Sequence, residues 1–262
     1  MGKGKELRLP NNLQMNNSYL SSFSLAGKTI LVTGATSGIG REAAIAVSQA
    51  GGVLFITGRN QERLKDTFGN LYGKDHQFFA ADLTKADQII SLAESLPEID
   101  GIVHSAGITG HLPAKFIGPD DLSSFFRINF EGPVLLTAQI LKKKKLRKNA
   151  SLVFLSSIAT KYPYFGGALY SSTKAAIEAY SKTLALELAP KGIRSNCISP
   201  SFVRTPMVDG AGTTISPEVL DKFAKMMPLG FGETVDVANA ILYLLADASK
   251  WVTGSNLVLG GG

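Results

Sequence analysis

From Lys28 onward, short apolar runs alternate with longer stretches in which apolar residues recur every three or four positions. The short runs are TILVTG (29–34), VLFITG (53–58), HQFFAAD (76–82), GIVHSAG (101–107), SLVFLSS (151–157), IRSNCIS (193–199) and NLVLGG (256–261). Most are continuously apolar, the pattern of strands covered on both faces. Between them, GREAAIAVSQAG (40–51) and TVDVANAILYLLAD (234–247) carry the spacing of amphipathic helices. This rhythm predicts one α/β domain: a doubly wound, seven-stranded parallel sheet flanked by helices. The stretch 205–232 breaks the rhythm and is expected to be a lid or binding loop. Its Met207, Val208, Phe223, Met226, Met227, Leu229 and Phe231 would either cover a hydrophobic substrate or pack on the core.

Composition changes this picture little. With 45% hydrophobic and 18% charged residues, the 262-residue chain has ample material for a core. No apolar run approaches the roughly 18 to 20 residues of a membrane span, so none is expected. Residues 1–24 lack a signal-peptide core and read as a flexible leader or tag, with the folded domain over 25–262. The single cysteine, Cys197, cannot form an internal disulfide, which fits a reducing cytoplasm. Much of the net charge of +6 comes from LKKKKLRK at 141–148. That run reads as the solvated cationic end of a helix, or else as a docking patch for an acidic partner such as a carrier protein. No aromatic interleaving accompanies it, so no nucleic-acid partner is expected. No metal site is expected either.

The first strand runs directly into TGATSGIG, residues 33–40. Gly34 suits a tight turn, Gly38 lets backbone approach a pyrophosphate, and Gly40 allows a helix to pack closely on the strand. The helix that follows aims its first N–H groups and positive dipole end at the phosphates. Gly34, Thr36, Ser37, Gly38, Ile39 and Gly40 are therefore expected against a dinucleotide. At the end of the second strand an NAD site usually places an acid for the adenosine ribose. Here Gly58 stands in that place and Arg59 follows. A guanidinium suits a 2′-phosphate, so NADP(H) is expected in preference to NAD(H). The bland alternative is that Arg59 is a solvated loop cation.

Tyr170 and Lys174 lie one helical turn apart within GALYSSTKAAIEAYSKTLALEL (167–188). No other tyrosine has a lysine four residues later. A phenol titrates near pH ~10, a poor match for acid–base work at neutrality, and a nearby ammonium would lower that value. Ser157 lies thirteen residues before Tyr170, with Ser156 as its rival, since alternate strand residues face opposite ways.

In this order, the motifs resemble those of the short-chain dehydrogenase/reductase family from about residue 24 to the end. TGATSGIG is similar to the family's TGxxxGxG loop, ADL (81–83) to its Asp-Val/Leu motif, and HSAG (104–107) stands at its NNAG position. INF supplies Asn129, SPSFVRTPM (199–207) resembles the PG-motif region, and the segment from Gly232 resembles the C-terminal signature. The resemblance implies hydride transfer between a carbonyl and a secondary alcohol on a Rossmann-type domain. It implies that Tyr170 is the acid and that Lys174 tunes it and grips the nicotinamide ribose. Ser157 would bond the substrate oxygen, and Asn129 would hold a relay water. It further implies Asp82 at the adenine edge and Thr205 at the carboxamide. Leu83, Ala106, Gly107, Pro200 and Val203 would complete the cofactor contacts. Departures are His104 and Ser105 for two asparagines, Ser201 for a glycine, and Gly260 where many relatives carry Asp. His104 is expected to be a satisfied structural side chain.

Within the family the pattern looks most like 3-oxoacyl-acyl-carrier-protein reductases, with a small-molecule or carrier-bound carbonyl substrate. The alternatives are a sugar, steroid or other secondary-alcohol dehydrogenase, or a non-catalytic NADP-binding sensor. Apolar residues on more than one face of the helix at 168–189 suggest burial against more than the sheet, and the resemblance implies that a homodimer or homotetramer supplies it.

Overall fold

Seven parallel strands form one sheet in the order β3-β2-β1-β4-β5-β6-β7. The structure is a computed structural model that describes residues 17–206 and 227–260. Most of the expected leader lies outside the described residues, as does the middle of the expected lid with Met207, Val208, Phe223 and Met226. The strands are β1 (Thr29–Thr33), β2 (Val53–Gly58), β3 (Gln77–Ala80), β4 (Ile99–His104), β5 (Leu146–Leu155), β6 (Arg194–Pro200) and β7 (Asn256–Leu259). β1 pairs with β2 on one side and β4 on the other, aligning Thr33 with Thr57 and His104. The strand order reverses at that point, which opens a crevice beyond the carboxyl ends of the strands.

Alternation along each strand divides the core between two faces. Ile30 and Val32 of β1, with Val103, Val153 and Ile198, face the helices α2 (Gly38–Gln49) and α8 (Thr234–Leu245). Those helices contribute Ala43, Val47, Val237 and Ile241 to the same cluster. Leu31, Ile102, Leu152 and Phe154 face the other way. They meet α4 (Ala86–Ser95), α6 (Gly132–Lys142) and α7 (Ala168–Leu188) through Leu92, Leu136, Ile177 and Leu184. Both faces being covered explains why the strands read as unbroken apolar runs. Two further helices flank the sheet ends, α3 (Gln61–Gly69) and α5 (Pro119–Phe126), and a short α1 (Asn17–Ser21) precedes β1. None of the described helices is long and apolar enough to cross a membrane.

The basic run departs from its reading as a free helix end. It straddles the end of α6 and the start of β5, which begins at Leu146 rather than Ser151. Lys143 pairs with Glu94 at 2.7 Å, Lys145 donates to the Leu96 carbonyl at 2.6 Å, and Arg147 pairs with Asp100 at 2.9 Å. Half of its charge is thus tied to its own chain, at the amino ends of the strands.

His104 closes β4 inside the core, stacked on Phe154 with ring centroids 4.6 Å apart. The Thr137 hydroxyl gives its proton to the Pro133 carbonyl, so its 3.0 Å contact with Nε2 is donated by the imidazole. His104 is therefore structural, as expected, but only half satisfied: Nδ1 has no hydrogen-bond partner. Burial lowers its pKa from 6.5 to about 3, so the native ring stays neutral where the unfolded ring takes up a proton. The unfolded chain then binds more protons below pH ~6.5, and stability falls with falling pH by up to about 1.4 kcal/mol per unit. Denaturant titrations at pH 7 and pH 5 should show a smaller loss for His104→Asn than for wild type. An equal loss would remove His104 from the acid response.

Candidate active site

The crevice is a cleft of about 1010 Å³ along the carboxyl ends of the strands. Its floor depends on two close approaches. Gly34 has φ +67°, and a Cβ there would lie 2.7 Å from the Ala106 nitrogen. A Cβ on Gly40 would strike the Gly34 carbonyl oxygen. The Thr33 hydroxyl accepts from the amides of Ser105 and Ala106, each at 3.2 Å, and so ties the HSAG segment to the loop. Ser37 caps α2 without a side-chain hydrogen bond, which leaves first-turn N–H groups for an anion. Thr36, Ser37, Gly38 and Ile39 all border the cleft. A cradle that any side chain would fill, beside an uncapped helix start, fits a dinucleotide pyrophosphate.

At the adenosine end, a Cβ on Gly58 would lie 2.5 Å from Thr36 Cγ2, so the Thr36 methyl would have to shift to admit an acid there. Arg59 is exposed and forms no salt bridge among the described residues. Asp82 accepts from the Thr84 amide at 2.9 Å and hydroxyl at 2.8 Å. Burial alone would raise its pKa, but these bonds and the cations Arg59 and Lys85 bring it below the ordinary value. Leu83, Ala106, Gly107, Pro200, Val203 and Thr205 border the same cleft, as the resemblance implied.

Ser157 follows the end of β5, and α7 lies across it. The Ser157 side chain reaches the Tyr170 hydroxyl closely enough to lower its pKa, and its oxygen accepts from the Ala159 amide at 3.2 Å. Ser156 turns the other way and donates to Glu178 Oε1 at 2.6 Å. Geometry thus separates the two rivals and brings Ser157, not Ser156, to Tyr170. Lys174 is buried with Nζ 5.7 Å from the Tyr170 ring centroid.

In the chain alone, burial outweighs the expected tuning. It pushes the Tyr170 pKa up to about 12 against the lowering effect of Ser157. The Lys174 ammonium donates to the Leu155 carbonyl at 2.7 Å. Burial also lowers Lys174 itself to about 8.

Asn129 is the other departure. It lies in a π-helical turn, Arg127–Glu131, between α5 and α6, and stands behind the cleft wall. π turns of this kind often mark functional positions. Its amide bonds Ile108 in both directions, at 2.8 and 3.0 Å, and donates to Thr173 at 3.1 Å. One lone pair of Oδ1 remains for a water.

Sequence reasoning missed the outer wall. Tyr164 donates to the Gly110 carbonyl at 3.0 Å, and His111 packs over Gly166, whose φ is +79°. The Leu112 amide bonds the Gly166 carbonyl at 2.8 Å, closing the segments 108–112 and 161–167 on each other. Phe202 and Met227 complete this side of the cleft. The only advance signal was the glycine pair at 166–167 beside aromatic residues.

The two departures at the nicotinamide end prove to be neighbours. A Cβ on Gly260, where φ is +89°, would lie 2.6 Å from Ser201 Cβ, and the Ser201 amide bonds the Leu259 carbonyl at 2.9 Å.

The family described as Enoyl-(Acyl carrier protein) reductase matches residues 34–262. A 3-oxoacyl-[acyl-carrier-protein] reductase of Mus musculus is 34% identical over 240 residues, which cover 90% of this chain and 97% of that one. Its counterpart in Aquifex aeolicus (strain VF5) is 32% identical over 246 residues, covering 91% and 98%. Among solved structures, a short-chain dehydrogenase/reductase of Brucella melitensis titled glucose/ribitol dehydrogenase superposes with a TM-score of 0.85. It is 29% identical and covers 92% of this chain and 98% of its own. Motif order, strand order and sequence identity agree over nearly the whole length: the chain belongs to the short-chain dehydrogenase/reductase family and is an oxidoreductase of carbonyl and alcohol groups.

Proposed function

We propose that this chain is an NADP(H)-dependent reductase that converts a carbonyl to a secondary alcohol, with a 3-oxoacyl group on an acyl carrier as the preferred substrate class. The observation that carries the reaction is that Ser157, Tyr170 and the buried Lys174 border one cleft at the end of β5. The preference for NADP(H) rests on Arg59, exposed on the cleft and in no salt bridge among the described residues, next to a glycine where an acid would stand.

The glycine cradle and the start of α2 would hold the pyrophosphate, Arg59 the 2′-phosphate and Asp82 the adenine. Lys174 would hold the nicotinamide ribose. When bound, NADP(H) supplies the hydride. Ser157 and Tyr170 converge on one point of the cleft and there polarise a carbonyl oxygen with two hydroxyls. With a pKa near 12 the phenol keeps its proton at neutral pH, so Tyr170 is the proton source that reduction requires. Lys174, lowered to about 8, can take part in returning that proton, and the free lone pair of Asn129 Oδ1 offers a place for a relay water.

The acyl-carrier preference draws on the named activity of the relatives. The basic run at 141–148 lies toward the other end of the sheet from Ser157. Leu146 is level with Ile99 and Phe154 with His104, five residue steps or roughly 17 Å along β4. A cytoplasmic location is supported by the lone, buried Cys197. A homo-oligomer built on α6 and α7 is supported by Leu135 and Leu186, which stand 45% and 79% exposed on those helices.

Purified protein should oxidise NADPH with at least one member of a panel of 3-oxoacyl thioesters and simple ketones. Tight NADPH binding without turnover on any of them would favour a sensor. Tyr170→Phe should lower kcat by at least about 10²-fold, the lower range for loss of a general acid, with NADPH affinity nearly unchanged; wild-type turnover would sink the assignment. Arg59→Ala should raise the Michaelis constant for NADPH far more than that for NADH. Equal effects on both would refute the phosphate role. Sedimentation velocity should give a dimer or tetramer, and a monomer at micromolar concentration would count against the helix interface.

A further inference from the structure

One carboxylate near the site has no place in the chemistry described so far. Glu178 lies on α7 one turn beyond Lys174 and is half-buried against the ends of β5 and β6. It forms no salt bridge among the described residues. Instead three hydroxyls from three segments converge on its Oε1. Ser156 donates at 2.6 Å, Thr160 at 2.9 Å and Ser199 at 3.3 Å. An unpaired carboxylate is acceptor-only, so it dictates where each of those protons points.

The three donors bracket the site. Ser156 is the residue before Ser157, Thr160 ends the turn after it, and Ser199 precedes Pro200 on the cofactor side of the cleft. The carbonyl of Leu155, one residue earlier, is held by Lys174. Consecutive residues of the β5 end are thus fastened to consecutive turns of α7. With Ser156 locked toward Glu178, strand alternation turns the next side chain, Ser157, toward Tyr170.

We propose that Glu178 is a positioning residue for the reductase chemistry, fixing Ser157 against Tyr170 by clamping the hydroxyls of Ser156, Thr160 and Ser199. It touches neither substrate nor cofactor. Misplacement of a reacting group by about 1 Å can cost about 10²-fold in rate. Removal of the clamp therefore acts mainly on kcat, with a smaller effect on NADPH binding, because of the three clamped hydroxyls only Ser199, the longest bond at 3.3 Å, adjoins the cofactor side. The kinetic part of this inference rests on the reductase reading above, whereas the exchange part does not.

The test combines hydrogen exchange with a double-mutant cycle. In Glu178→Ala, amide exchange should rise at Ser156, Thr160 and Lys161, whose N–H groups bond Ile198, Ser157 and Ile158. Exchange in α2 and α8 should stay at the wild-type level. Glu178→Ala should lower kcat by about 30- to 100-fold with the dissociation constant for NADPH within about threefold. Glu178→Gln keeps one acceptor oxygen and should lose less, about three- to tenfold. In a Ser157→Ala background, Glu178→Ala should cost no more than about twofold further, because the clamp works through that serine. Full additivity of the two substitutions would overturn the proposal, as would exchange that rises uniformly or not at all. If Glu178→Ala does not fold, Glu178→Gln carries the same cycle and exchange comparison. If the wild-type protein turns over no carbonyl, the reductase reading fails, and local exchange at 156–161 still decides the clamp.

Discussion

A buried ammonium without a counter-ion is the constraint around which this end of the molecule is arranged. Lys174 is 7% exposed, pairs with no carboxylate among the described residues, and has a single bond to the Leu155 carbonyl. Taking such a charge out of water costs several kcal/mol, more than one neutral acceptor returns. The lowered pKa expresses that imbalance. The surrounding structure is built to hold it: α7 is seated by Leu169, Ile177 and Leu184 in the core, and Glu178 fastens the helix one turn on. The strain is concentrated at a lysine that can give up its proton near neutrality.

The same economy of charge separates the two ends of the cleft. At the adenosine end Asp82 is held ionised by Thr84 and the cations Arg59 and Lys85, and Arg59 forms no salt bridge among the described residues. At the Tyr170 end the groups around the Lys174 ammonium are neutral: phenols raised by burial, a serine hydroxyl, and a histidine kept uncharged behind the wall. Unpaired surface charge is thus set at one end of the cleft, and neutral hydroxyls around a single buried ammonium at the other. In a cleft of low dielectric, donors of that kind act without reorganisation.

Legibility in the sequence followed the range of the interactions. Strand runs, the glycine loop and the Ser157, Tyr170 and Lys174 spacing are local patterns, and the sheet order and site geometry match them. The direction of the Lys174 ammonium was not local. It depends on a carbonyl nineteen residues away, at Leu155, and the same spacing would equally have suited a bond to the phenol. Neutralisation of the basic run was hidden for a similar reason, since its partners Glu94, Leu96 and Asp100 come from the preceding helix and strand. The outer wall with His111 and Tyr164 carries no periodicity, and arises only when two loops close on one another. Asn129 was legible as a residue but not as a π turn, because inserting one extra residue into a helical turn leaves no compositional mark.

The contact between Ser201 and Gly260 changes what a departure from a family pattern means. Taken singly, a serine in place of glycine adds volume beside the nicotinamide end, and a glycine in place of aspartate removes it. In space the two positions share one small volume, with 2.6 Å between Ser201 Cβ and the point where a side chain at 260 would begin. They behave as one two-residue character: the bulk has moved from the last strand to the loop after β6. Restoring either residue alone would therefore leave that space doubly filled or empty. Any transplant of substrate specificity between this chain and its relatives must carry both positions together.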